Sequence, residues 1–322
     1  MSETASSSPD WEPRAGHRPE RAGHARAAAG ALGVEVIAVF GPTASGKSAV
    51  AEALADRLGT EVVSADAMQV YRGLPILTNQ PSSRTRLVAI RSLADEMSVG
   101  VFATLAHAEI DRLVVDRGAA VVSGGTGLYL RAALVDLGVP PRPDPTVRER
   151  IEQEVDVDRA SAHRRLAGLD PRAAESVHPN DRKRLIRSLE LAESGSSLVA
   201  SRDRLWDGST RRPTFVAGLD VRDDVLERRI RARTESMFAR GVVDEVRAAL
   251  SQPLSRTAGK TLGLAEIAEL APADALDRIV VRTRRYAAYQ RKWMRRIPDL
   301  TRFDGERDPG EIADGILAHV RR

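Results

Sequence analysis

The stretch that most limits what this chain can become runs from Val34 to Ser48 and reads VEVIAVFGPTASGKS. An apolar run rich in β-branched residues stops abruptly at Gly41, and a helix-forming segment, AVAEALADRL, starts straight after Ser48. Between them lie Gly41, Pro42, Thr43, Ala44, Ser45, Gly46, Lys47 and Ser48, with the spacing of a phosphate-binding loop: Gly, four residues, Gly-Lys-Ser. Strand, glycine turn and helix in that order direct backbone N–H groups and the positive end of the helix at one point, where an anion fits. Lys47 adds a mobile charge, and the Ser48 hydroxyl is a ligand suited to Mg²⁺. A diphosphate or polyphosphate site is expected there.

At 322 residues the chain can bury one large core, or a core domain and a smaller one. It contains no cysteine, which excludes disulfides and thiolate zinc sites, and its six histidines show no metal-ligand spacing. No run approaches the ~18 apolar residues of a membrane span, and the N-terminus lacks a signal-peptide pattern. A soluble cytoplasmic protein without membrane contact is expected. The net charge is only +4, so where the arginines cluster matters more than their sum. Residues 1–33, rich in Ser, Pro, Gly, Ala and Arg, offer too little apolar area to offset ordering entropy and read as a disordered tail.

Further along, EVVSAD reads as a short strand ending at Asp66. Parallel sheets gather ligands at the carboxyl ends of their strands, so Asp66 either faces the phosphate loop or caps the next turn. MQVYRGLPILTNQP follows as an irregular loop, and Leu87 to Ile90 as a weak strand. VFATLAHAEIDRLVVDRG has helical periodicity, and AAVVSGGTG then repeats the opening theme of strand into glycines. So many glycines imply close backbone approach, to a ligand or within a turn. Ser123 stands where nucleotide hydrolases usually carry a Mg²⁺-supporting Asp, so the loop is expected to hold a phosphate that is not being hydrolysed from ATP.

PPRPDP (Pro140 to Pro145) reads as a linker, and the stretch from there to Arg212 is helical in pattern throughout. The expected fold is α/β: a P-loop NTPase-like parallel sheet flanked by helices, its core formed by 34–140 and 213–322, with a small all-helical domain inserted at 141–212. HPND followed by Arg182, Lys183, Arg184 and Arg187 is either a solvated basic face or a phosphate contact. TFVAGLDV resumes the sheet, and on the next helix Arg229 and Arg233 share a face, meeting either Glu227 and Glu235 or the phosphate site. A last long helix, from about Ala273 to Arg296, is strongly basic. Between Arg278 and Arg296 it carries cations and no acid, interleaved with Tyr286, Tyr289 and Trp293, a combination suited to single-stranded RNA.

Taken together, GPTASGKS, SAD-x-x-QVYRGL, SGGTGLYLRA, HPND-x-x-R-x-x-R-x-LE and R-I-x-x-R-x-x-x-M resemble the tRNA dimethylallyltransferase family from about residue 35 to 300. The resemblance implies transfer of the dimethylallyl group of dimethylallyl diphosphate to N6 of the adenosine 3′-adjacent to the anticodon of tRNA, releasing pyrophosphate. It implies Mg²⁺ as cofactor and the anticodon stem-loop as partner, with the protein acting as a monomer. Lys47 and Arg233 would hold the leaving pyrophosphate, Asp66 would accept the amine proton, and Thr126 would position the reacting groups. Asp66, Ala67, Met68, Gln69, Thr126, Arg148, Lys183, Arg184, Leu185, Ile186 and Arg187 would touch tRNA. The chain departs from the family pattern at Ile76 to Pro81, around Leu87 to Leu93, and at Ala288 to Gln290. The competing readings are a P-loop kinase of a small metabolite, an isopentenyltransferase of free adenine nucleotide, and a non-catalytic RNA-binding protein.

Overall fold

The structure, a computed structural model, describes residues 33–81, 85–137, 144–197 and 208–321. The expected tail lies outside them except for Gly33, as does most of the Pro140 to Pro145 linker.

Strand β1 (Val36–Phe40) is buried along its whole length. It pairs in parallel with β4 (Ala120–Gly124) on one side and β5 (Thr214–Asp220) on the other. Beyond β4 lie β2 (Val62–Ser64) and then β3 (Thr85–Arg86), and beyond β5 lies β6 (Leu300–Asp304). Among the described residues the sheet therefore has six parallel strands in the order β3-β2-β4-β1-β5-β6. A strand covered on both faces reads as an unbroken apolar run, and its period of two splits the side chains between two cores. Ile37 and Val39 pack with Leu54 and Leu58 of α1 (Lys47–Leu58) and Ile312 and Ile316 of α12 (Pro309–Val320). Val36, Ala38 and Phe40 face the other core. That core draws on α2 (Val99–Arg117), α3 (Gly127–Leu134) and α11 (Pro272–Met294).

The weak strand expected at Leu87 to Ile90 is a turn. Leu87 and Ala89 have φ of 63° and 53°, a left-handed backbone that cannot continue a ladder, and the pairing residues are Thr85 and Arg86 just before them. The segment instead returns along Gln69 and Val70, whose carbonyls accept from Ala89 and Ile90.

Residues 144–197 form α4 (Pro145–Val157), α5 (Arg159–Leu169), α6 (Pro171–Ser176) and α7 (Arg182–Glu193). Each begins behind an aspartate, Asp144, Asp158, Asp170 or Asp181, whose carboxylate accepts a first-turn N–H. They enclose a core of their own around Ile151, Val155, Leu166, Leu185 and Leu189. The chain returns to the sheet where the Arg211 amide donates to the Leu134 carbonyl at 2.8 Å. Arg212 then pairs with Asp111 at 2.6 Å and Glu35 at 2.7 Å. Among the described residues no helix is long and apolar enough to cross a membrane.

Candidate active site

The carboxyl ends of β1, β2 and β4 open into one cleft of about 470 Å³, beside the central strand where successive connections diverge. The loop between β1 and α1 lines it. Gly46, at φ 90°, makes the turn into α1, and Ala44 also sits in the left-handed region at φ 63°. Burial pushes the Lys47 ammonium down to about 8; Asp66 opposes that shift and Arg233 adds to it. Arg233, from α8 (Asp223–Ala239), is itself pressed down by burial against the pull of Asp66. Its Nη1 donates to Thr43 Oγ1 at 2.9 Å. Two desolvated cations thus meet at the loop with one carboxylate opposite.

Arg229 also leans toward the cleft, donating to the Gly305 carbonyl at 3.0 Å. Glu227 is occupied elsewhere, by Arg284 at 2.8 Å. The two arginines that share a face on α8 therefore turn toward the loop and not toward neighbouring acids.

Asp66 follows β2 and does both things its position allowed. Its Oδ1 accepts from the amides of Met68 at 2.9 Å and Gln69 at 3.4 Å, which fixes the turn, and the residue lines the cleft facing Lys47 and Arg233. Gln69 takes the Ser64 hydroxyl at 2.8 Å and donates to the Asn79 carbonyl at 3.0 Å, tying the irregular loop to the strand end. Glu245 of α9 (Val242–Leu250) anchors the same loop, accepting from the amides of Ile76 and Leu77 at 2.8 Å each.

Across the cleft, Thr126 precedes α3, and its Oγ1 lies 2.9 Å from the Tyr286 hydroxyl of α11. Burial, reinforced by Asp66, pushes that phenol up to about 12, so it stays neutral. One turn on, buried Gln290 accepts from the Thr43 amide at 2.7 Å and donates to the Gly125 carbonyl at 2.8 Å. The glycines after β4 serve this packing. A Cβ on Gly125 would stand 2.3 Å from Gln290 Nε2, and one on Gly127 would stand 2.2 Å from the Trp293 ring. The close approach read from the sequence is made by the protein's own long helix. Sequence reasoning missed Gln290 and assigned Tyr286 only to RNA, because both act across more than 150 residues.

Strand β4 ends in Ser123 and Gly124 without a carboxylate. Asp220 does close β5, but it pairs with Arg302 at 3.3 Å outside the cleft. Ser48 stands exposed at the start of α1, and Ser45 Oγ is buried in the loop with no hydrogen-bond partner. Among the described residues no three His, Cys, Asp or Glu side chains gather as a metal site.

Of the residues expected at tRNA, Asp66 and Gln69 share this cleft with the phosphate loop, and Thr126 meets it through Tyr286. Ala67 and Met68 pack against the adjoining core. The others lie on the helices of 144–197. Lys183 and Arg184 are exposed. Arg148 and Arg187 donate to the two oxygens of buried Glu190 at 2.9 and 3.2 Å, and Arg148 also meets Glu152 at 2.9 Å. Leu185 and Ile186 require correction: they are 0% and 1% exposed within the helical core, so their side chains have no surface to offer RNA.

Fold and site together define a P-loop protein of NTPase-like architecture, whose anion cradle faces the Asp66 carboxylate. The chain belongs to the IPP transferase family, whose profile matches residues 69–297. A curated relative from Anaeromyxobacter dehalogenans, named tRNA dimethylallyltransferase, is 39% identical over 82% of this chain and 90% of its own length. One of the same name from Mycolicibacterium gilvum is 38% identical over 87% and 94%. Among solved structures, the tRNA isopentenylpyrophosphate transferase of Bacillus halodurans superposes with a TM-score of 0.63 at 29% identity, covering 89% of this chain and 96% of that one. A eukaryotic dimethylallyltransferase solved acting on tRNA shares the fold, with a TM-score of 0.73 at 24% identity over 84% and 74%.

Proposed function

We propose that this protein transfers the dimethylallyl group of dimethylallyl diphosphate to N6 of the adenosine on the 3′ side of the anticodon in tRNA. The observation that carries the reading is the pair of desolvated cations, Lys47 and Arg233, held at the phosphate loop opposite Asp66. Its relatives' names give the substrate class.

In this reaction the bond from the allylic carbon to the diphosphate oxygen breaks, and a bond from N6 to that carbon forms. Negative charge grows on the leaving pyrophosphate. Lys47, Arg233 and the loop amides stabilise it from fixed positions that need no reorganisation. The exocyclic amine sheds a proton, which Asp66 accepts. Thr126, held by Tyr286, orients the amine. To bring N6 to the cleft floor the adenosine leaves its stack, as base-modifying enzymes require.

Mg²⁺ fits this loop. Ser48 offers a hard hydroxyl oxygen, and diphosphate oxygens and water complete the kind of shell the ion prefers. Its chemistry when bound is to neutralise charge on the diphosphate. The helices of 144–197 form an inserted domain that grips the anticodon stem through Lys183, Arg184, Arg148 and Arg187. A kinase acting at this loop would be better served by an acid at the end of β4, where Ser123 and Gly124 stand.

The test is incubation with unmodified tRNA, Mg²⁺ and labelled dimethylallyl diphosphate. Label in the tRNA, with one pyrophosphate released per transfer, is expected. ATP turnover without labelled tRNA would overturn the reading.

A further inference from the structure

Helix α11 carries more cations than its neighbours can pair. Arg282 is taken by Glu266, Arg284 by Glu227 and Arg291 by Asp223. Arg285 and Lys292 are exposed and make no ion pair among the described residues. Spaced four and three residues from Tyr289, they flank it on one face of the helix. Tyr289 is 53% exposed, a large ring left in water two turns beyond Val281, the helix's other exposed apolar side chain at 41%. Its ring lies nearly parallel to that of Tyr286, at 24° with centroids 6.5 Å apart. Tyr286 in turn bonds Thr126 and lines the cleft. The exposed ring is therefore registered, through one stacked neighbour, to the place where the target adenosine enters.

We infer that Tyr289, flanked by Arg285 and Lys292, is a stacking platform for a nucleobase directly beside the target adenosine in the anticodon loop. This rests on the transferase reading above. An adenosine drawn out of the stack leaves an adjacent base with an uncovered face, and an aromatic ring in water can cover it. The two cations suit the phosphates on either side of that base. The ring carries no charge, so it contributes to base contact and not to the salt-dependent attraction. Tyr289 sets how well a given loop sequence is held, because purines offer more stacking area than pyrimidines.

The experiment uses the full chain and a synthetic anticodon stem-loop. Tyr289→Ala is expected to raise KM for the stem-loop about tenfold while turnover at saturation holds, with an unchanged salt slope. Tyr289→Phe should behave as the parent, since the ring does the stacking. Two further stem-loops carry an abasic nucleotide on the 5′ or the 3′ side of the target. With one of them the parent should lose affinity, and Tyr289→Ala should lose nothing more. An unchanged KM for Tyr289→Ala overturns the inference, as does a full penalty on both abasic loops or a fall in turnover with KM unmoved. If the parent cannot modify the intact stem-loop or whole tRNA, the transferase reading itself fails, which is a separate result.

Discussion

Gln290 Oε1 accepts the Thr43 amide at 2.7 Å, joining the C-terminal part of the long basic helix to the phosphate loop. The same side chain donates to the Gly125 carbonyl, so one residue holds both strand-end loops at a fixed separation. Gln290→Ala leaves a half-buried amide and a buried carbonyl unpaired, and a buried group left so costs about 1–3 kcal/mol. Urea unfolding should show a loss in that range, and KM for dimethylallyl diphosphate should rise as the loop loosens. A variant as stable as the parent, with unchanged KM, would dismiss this role.

Asp66→Ala should lower turnover by about 10²–10⁴, the usual worth of a general base. Binding of tRNA, measured by filter retention, should change little. If affinity collapses and the rate at saturation survives, Asp66 is a binding residue instead.

Lys47 makes the site sensitive to alkaline pH. Its native value near 8 lies below its ordinary 10.5, so between those limits the unfolded chain holds a proton that the native chain has lost. Stability from this group therefore rises as pH climbs from about 8 to 10.5, and none of that gain is present below 8. Diphosphate favours the charged form, so pyrophosphate affinity should fall above pH 8, approaching tenfold per unit. Titration calorimetry with inorganic pyrophosphate at pH 7, 8 and 9 would read this. Lys47→Arg, which keeps its charge, should flatten the profile.

Gly127→Ala places a methyl group 2.2 Å from the Trp293 ring. Overpacking of this kind costs about 1–3 kcal/mol, and here it displaces α11 from the cleft. Lower stability in urea should accompany lower turnover. A fully active, equally stable variant would mean that Trp293 swings aside freely.

Arg184 is 67% exposed on its side chain and only 3.8 Å from Asp181. Arg184→Gln should weaken tRNA binding and reduce the slope of log affinity against log salt by about one unit. An unchanged slope would return Arg184 to a solvated face.

Much of the cleft was legible along the chain because it is built from contiguous pieces. The run Val36–Phe40 into Gly46, Lys47 and Ser48 fixes strand, turn and helix locally, and Asp66 stands at a strand end a sequence can reveal. Gln290 and the pairing of Tyr286 with Thr126 were not legible: they depend on α11 crossing two loops, and helical periodicity gives no sign of what a helix crosses. The half-exposed strand Leu300–Asp304 owes its form to pairing with β5 more than to its own pattern. Leu185 and Ile186 sit among arginines in sequence, yet on a helix they turn to the opposite face, into the core.

The stem of the helical insertion is already closed: the chain leaves the core after Leu134 and returns where the Arg211 amide meets the Leu134 carbonyl. An excursion that begins and ends at one hydrogen bond can lengthen, shorten or be exchanged without shifting any strand of the sheet. The sheet and the cleft at its strand ends can therefore be inherited unaltered while the helices of 144–197 change at their own rate.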